Sequence, residues 1–204
     1  LLIVCFIAFI IDSYLINAVL LKVFAKVNPI KFFKKILPAQ IVAFSTQSSA
    51  GTLPVATEIL TDKIGVSGKV ANVTTPLGTT IGMPGCAGIW PILVSLYGIY
   101  GLGINFSLTD YITLVVVALF VSFGTAGVPG TATVTTASVL TVMGLPLELI
   151  VLTIPISALA DTGRTATNIT GAMVSATIVA RQEDSLDDEI FEKEDEEENK
   201  AVTA

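Results

Sequence analysis

Hydrophobic positions run almost unbroken through most of the chain, so the informative positions are the few polar, glycine and proline residues that interrupt them. Residues 1–21 are apolar apart from an interruption at Asp12, and they are long enough to span a hydrocarbon core of about 30 Å. A basic cluster follows: Lys22, Lys26, Lys31, Lys34 and Lys35. Residues 36–47 are apolar but short, then Gln47-Ser48-Ser49-Ala50-Gly51-Thr52-Leu53-Pro54 turns small and polar, Val55–Leu60 resumes, and Lys63 closes the unit. At 1.5 Å per residue, an arm of about 12 residues reaches about 18 Å, near the bilayer middle. The pattern therefore predicts a helical hairpin over 29–65 that enters and leaves on one side. Residues 66–104 are apolar but broken at Gly82-Met83-Pro84-Gly85-Cys86. Proline and glycine remove helical hydrogen bonds, which predicts an unwound stretch there. Residues 105–144 repeat the hairpin theme, with the tip Gly124-Thr125-Ala126-Gly127-Val128-Pro129-Gly130. Residues 145–181 form a last apolar segment whose polar centre, Asp161 to Asn168, predicts a second broken helix.

The two hairpin units echo each other. Ser49-Ala50-Gly51 followed by Pro54 parallels Thr125-Ala126-Gly127 followed by Pro129. A long segment with a polar break follows each tip. Non-helical backbone at membrane depth must line a cavity or be covered by protein. Paired interrupted segments of this kind point to a transporter's binding site. The expected fold is thus an all-α polytopic membrane protein, an inverted-repeat transport core with two re-entrant helical hairpins and two broken transmembrane helices.

Charge gives the orientation. No Lys or Arg lies between Lys69 and Arg164, and the basic residues gather at 22–35, 63–69 and 181. By the positive-inside rule those ends are cytoplasmic, and every loop agrees. The net charge of −6 belongs to one end: residues 183–198 hold eleven acids, while residues 1–181 hold six acids against nine basic residues. Residues 182–204 read as a disordered, solvated cytoplasmic tail, with a regulatory contact as the other reading. The chain opens inside an apolar run without Met, so it is expected to begin mid-protein. Cys5 and Cys86 suggest no disulfide framework, and the absence of histidine excludes His-based triad, acid–base and zinc chemistry for this chain. No nucleophile–base pair or metal cluster is evident, so the chain does not read as an enzyme.

The densest chemistry is Asp161-Thr162-Gly163-Arg164-Thr165-Ala166-Thr167-Asn168. Asp161, Arg164, Thr165 and Asn168 are spaced i, i+3, i+4 and i+7, one face of a helix. A carboxylate, a guanidinium, a hydroxyl and an amide on one intramembrane face suit a zwitterion. The competing reading is that Asp161 and Arg164 pair with each other. At the hairpin tips, Ser48, Ser49 and the stretch Gly127 to Ala132 offer hydroxyls and backbone amides at half-helix N-termini. The plainer reading there is close helix packing by small residues.

These stretches, with Pro76-Leu77-Gly78-Thr79-Thr80-Ile81 and the run from Asp161 to Gly171, resemble the dicarboxylate/amino acid:cation symporters, the glutamate-transporter-like family. The resemblance covers nearly all of residues 1–181. It implies a sixth transmembrane helix at 1–28, the first re-entrant hairpin at 29–65 and a seventh helix at 66–104. The second hairpin would occupy 105–144 and the eighth helix 145–181. The first five helices, with the scaffold of the family's homotrimer, would be missing. It further implies a substrate held around Ser48, Ser49, Val128 and Ala132, with Asp161 on its amino group. Thr165 would line the site, Asn168 would hold the main-chain carboxylate, and Arg164 would read a side-chain carboxylate. The second hairpin would gate the site, and the domain would move as an elevator.

Departures from the family pattern concern the cations. Gly82 and Pro84 stand where it has an asparagine and an aspartate, Ala172 where it has a second aspartate, and Ser157 where an acid is common. A carboxylate-built site involving Gly78 and Asn168 is thus expected to be weakened. A site of backbone carbonyls at Thr80, Ser122, Phe123 and Thr125 would survive substitution. The run from Gly82 to Gly88 resembles the cystine-transporting branch, which makes Cys86 a pocket residue. The reading is symport of a small amino acid, L-cystine first, coupled to Na⁺ or H⁺, without a cofactor or a nucleic-acid partner. The setting is a lipid bilayer, the bacterial inner membrane. The alternatives are glutamate, aspartate or a C4-dicarboxylate as substrate, or a truncated, non-transporting membrane fragment.

Overall fold

A computed structural model describes residues 1–81, 83–124 and 130–193, and all its regular elements are helices. Helix α1, Leu2–Ala25, widens into π-type turns over Ile11–Ile16 and Leu21–Ala25 and stops at Lys26, which is left-handed at φ 55°. Asn28 caps α2, Pro29–Thr46, by accepting from the Ile30 and Lys31 amides, with Pro29 at the first turn where its missing N–H costs nothing. Gln47, at φ 53°, turns the chain into α3, Ser49–Ile59, extended by a wider turn over Leu60–Ile64. Helix α4, Gly68–Gly78, follows, capped by Ser67. After a break the chain resumes at Pro84–Ile89 and α5, Trp90–Gly101. Helices α6, Leu108–Phe123, and α7, Thr131–Val142, form the second hairpin, opened by a capping box between Ser107 and Asp110. Helix α8, Glu148–Gln182, is the axis of the molecule, and α9 is the short Asp188–Glu192.

Two apolar cores flank α8. One joins α1's end, α2, α3 and the C-terminal half of α8 through Leu21, Phe32, Ile36, Leu60 and Met173. The other joins α1's start, α5, α6, α7 and the N-terminal half of α8 through Phe9, Trp90, Leu114, Leu140 and Leu149. Ile3, Leu15, Leu119, Phe120 and Leu152 are exposed, a density of bare apolar side chains that suits lipid or further membrane helices. Helices α1 and α8 are long and apolar enough to cross a membrane.

Three expectations are corrected. The first hairpin arm has 18 helical residues, not about 12, because the Asn28 cap starts the helix before the lysines, so its first turns carry Lys31, Lys34 and Lys35. The second helix break is absent: α8 is continuous over 35 residues through Asp161 to Asn168. Its threonine hydroxyls bond back to the helix without unwinding it. The Thr165 hydroxyl donates to the Asp161 carbonyl and that of Thr170 to the Ala166 carbonyl, both at 2.8 Å. Within the expected disordered tail, residues 183–193 are folded onto the rest of the chain. Ser67 N–H donates to the Ser185 carbonyl, Asp187 N–H to the Gly65 carbonyl, and Phe191 is buried in the first core. Lys35, itself buried, donates through Nζ to the carbonyls of Lys63 and Phe191 at 2.8 Å and of Lys193 at 3.1 Å. Burying one aromatic ring and answering one buried ammonium outweighs the solvation of the surrounding acids. Residues 194–204 lie outside the described residues.

Candidate functional site

The polar centre of α8 faces the restart of the broken helix. Gly85 makes this approach possible: a Cβ there would lie 2.6 Å from the Arg164 carbonyl oxygen and 2.8 Å from its Cα. Gly85 N–H donates to Asn168 Oδ1 at 2.9 Å, and Asn168 Nδ2 donates to Cys86 Sγ at 3.1 Å. The carbonyl of Cys86 in turn accepts from the Thr135 hydroxyl of α7 at 2.9 Å. Asn168 therefore spends one donor and one lone pair on the helix restart, leaving one of each.

Arg164 is 3% exposed, and its guanidinium stacks over the Trp90 ring at 4.6 Å. Its Nε donates to Asp161 Oδ1 at 3.2 Å, and Nη2 lies 3.0 Å from the same oxygen. Nη2 also donates to the Ser157 carbonyl at 3.0 Å and its hydroxyl at 3.2 Å. Nη1 is buried and has no hydrogen-bond partner among the described residues. The pair that the competing reading foresaw is thus present, yet it consumes only part of the guanidinium. Asp161 meets Arg164 through Oδ1 alone, and its side chain is 35% exposed.

The first hairpin tip reaches this centre: Gln47 Nε2 donates to the Ala158 carbonyl of α8 at 3.4 Å. Ser48 caps α3, its Oγ accepting the Gly51 amide at 3.0 Å, and Ser48 and Ser49 are both half-buried. Ala132 is buried at the start of α7, within the core that holds Cys86. Thr165 is buried, and its hydroxyl is turned to its own helix. Val128 and Thr125 lie outside the described residues, as does Gly82. Of the expected cation positions, the Thr80 hydroxyl donates back to the Pro76 and Leu77 carbonyls, Ser122 is buried, and Phe123 is exposed. Gly78 packs on Ala172, where a Cβ would lie 2.9 Å from the Ala172 methyl.

Sequence reasoning missed Trp90 as the guanidinium's platform and Ser157 as its acceptor. Residue 157 is one turn before Asp161, so helical spacing alone could have found Ser157. Trp90 is 74 positions from Arg164 and carries no local signal. It also missed a polar seam of α1, α2 and α8, with Ser13 donating to Thr167 at 3.2 Å and Gln40 to Thr170 at 2.9 Å.

Known proteins bear on this geometry. The profile of the sodium:dicarboxylate symporter family matches residues 1–182. An "Uncharacterized symporter" of Haemophilus influenzae is 43% identical over 180 residues, which cover 85% of this chain and 41% of that protein. The L-cystine uptake protein TcyP of Bacillus thuringiensis is 37% identical over 169 residues, covering 82% of this chain and 36% of that one. TcyP of Shouchella clausii is 38% identical over 165 residues, covering 80% of this chain and 35% of that one. The chain thus spans about two-fifths of the length of the curated relatives it matches. The chain belongs to the sodium:dicarboxylate symporter family.

Proposed function

We propose that the full-length protein is a symporter of L-cystine in the bacterial inner membrane and that this chain is its moving, substrate-binding half. The observation that carries the substrate site is the buried Nη1 of Arg164, unpartnered among the described residues, beside a partly exposed Asp161. Together they supply a donor for a carboxylate and an acceptor for an ammonium, the two poles of an amino acid. Cystine has two such heads, so Arg164 takes the carboxylate of the second. Asp161 takes the ammonium of the first, and the remaining donor of Asn168 faces its carboxylate. Ser48, Ser49, Cys86, Val128, Ala132 and Thr165 complete the wall.

The two hairpins are re-entrant from opposite sides, with the basic ends and the acidic tail in the cytoplasm. The second hairpin is the gate, and an elevator movement of the domain carries the site across the bilayer against a homotrimeric scaffold of missing helices. The coupling cation is Na⁺ or H⁺, with the carbonyls of Thr80, Ser122, Phe123 and Thr125 as one site and Gly78 with Asn168 as a weaker one. A second reading, glutamate, aspartate or a C4-dicarboxylate as substrate, draws on the same arginine, which suits any side-chain carboxylate. Uptake of radiolabelled cystine and aspartate into vesicles holding the full-length protein separates the two. Aspartate uptake without cystine uptake sinks the first.

A further inference from the structure

A second carboxylate lies at membrane depth, outside the substrate site and next to the Gly78 of the weaker cation site. Asp12 sits ten residues into α1, about 15 Å along the helix and close to the middle of a bilayer core. It falls where α1 widens into a π-type turn over Ile11–Ile16, a local irregularity that often marks function. Asn17 Nδ2 donates to the Asp12 carbonyl at 2.9 Å. The side chain is not answered in the same way: Asp12 Oδ2 is buried and has no hydrogen-bond partner among the described residues.

Asp12 lines a cavity of about 240 Å³ between α1, the end of α4, the helix restart and α8. Its oxygen-bearing walls are Asn17, Ser175 and the backbone of Gly78, while Pro84 and Ala172 add no side-chain oxygen. Among the described residues no Lys or Arg lines it. Arg164 faces Trp90 and Asp161 instead. Gly78 is the last residue of α4, so the negative end of that helix dipole adds to the carboxylate's field. An unpaired carboxylate in a membrane segment is tolerated when a cation neutralises it. Carboxylate, amide, hydroxyl and carbonyl oxygens, with no sulfur or imidazole, select a hard ion.

We propose that Asp12 is the carboxylate of a sodium-ion site in this cavity, completed by oxygens of Asn17, Ser175 and Gly78. One formal charge in the cavity fits a monovalent ion. For its part in coupling, the site rests on the symport reading, whereas binding of the ion does not require it.

The test uses the full-length protein, purified without substrate, and its melting temperature in sodium chloride against choline chloride at fixed pH and ionic strength. Sodium is expected to raise the wild-type melting temperature saturably. Asp12→Asn, which keeps the shape, is expected to weaken the sodium midpoint at least tenfold while melting normally in choline. A wild-type protein blind to sodium overturns the proposal, as does an unchanged midpoint in Asp12→Asn. A melting temperature that moves with pH and not with sodium also overturns it and makes Asp12 a proton site. If Asp12→Asn does not fold, Ser175→Ala takes its place, with a several-fold weaker midpoint expected and an unchanged one removing the cavity from the site. Loss of cystine uptake in a protein that keeps an Asp12-dependent sodium shift defeats the substrate reading and leaves this one standing.

Discussion

Helix α8 carries two arginine–aspartate pairs, and the shorter one is the weaker. At its end, Arg181 meets Asp188 through both terminal nitrogens, at 3.0 and 2.5 Å, with side chains 25% and 63% exposed. At its middle, Arg164 meets a single oxygen of Asp161 at 3.0 and 3.2 Å, with side chains 3% and 35% exposed. An exposed pair is worth about 0–1 kcal/mol, because water and salt screen it. Stripping one partner from a buried pair costs about 3–5 kcal/mol, because the other charge is left in a poor solvent. Exposure, not distance, ranks the two. It also separates their roles. The outer pair fastens α9 beside a clasp built on Phe191 and Lys35. The inner pair leaves Arg164 Nη1 over, buried and without a hydrogen-bond partner among the described residues, which is why the proposed substrate site is built on it as a receptor.

The most direct way to break this ranking is Asp161→Asn. With Arg164 left buried and unopposed, substrate affinity is expected to fall roughly 100-fold or more, a loss of about 3 kcal/mol, with membrane insertion intact. Titration of substrate against the full-length variant reads this, and unchanged affinity would make Asp161 a structural residue. Next comes Phe191→Ala at the clasp. Phe191 is 1% exposed under the ammonium groups of Lys31 and Lys35, at 5.6 and 5.3 Å from its ring. Its removal is expected to cost about 3 kcal/mol of thermal stability and to release the tail to protease, with substrate affinity unaltered. A drop in affinity of the Asp161→Asn kind would erase the division between fastener and receptor.

Gly85→Ala probes the packing behind the inner pair. The added methyl meets the Arg164 backbone and is expected to cost about 1–3 kcal/mol in melting experiments. Gly88→Ala, where nothing lies within 4 Å, is the control and should be nearly silent. The smallest effect belongs to the outer pair. The hydrogen bond from Arg181 holds the Asp188 carboxyl below the usual aspartate range. A lowered folded pKa stabilises the protein above the unfolded value of about 3.9 and loses that contribution as pH falls through the lower folded one. Because Asp188 is mostly exposed, less than about 1 kcal/mol is at stake. Hydrogen exchange of residues 185–193 should therefore quicken only slightly between about pH 5 and pH 3. A large acceleration would show the outer pair to be the stronger partner in the clasp.

What the sequence determined by itself is local. The apolar runs and their interruptions set the order of helices and both hairpins. Asn28-Pro29, Ser48, Ser67 and Ser107 set helix starts through caps that act within three residues. The spacing of Asp161 and Arg164 placed them within reach, since i and i+3 share a helical face. Tertiary structure decided the partners. Whether α8 unwinds at its polar centre depends on what those groups can bond. Arg164 met Trp90, and Asn168 met Gly85 and Cys86, more than 80 positions away. Charge pattern predicted a solvated tail, yet its fate to Lys193 turned on Lys35, about 156 positions earlier, needing carbonyls at the end of a helix hairpin. Asp12 shows the same division. Its place in an apolar helix was plain from the first residues of the chain, but only the tertiary fold brought it, with α8 and the end of α4, to the wall of a cavity that no Lys or Arg lines among the described residues. Short-range sterics and capping act within a few residues, whereas satisfying a buried polar group is settled by whatever the whole fold brings beside it.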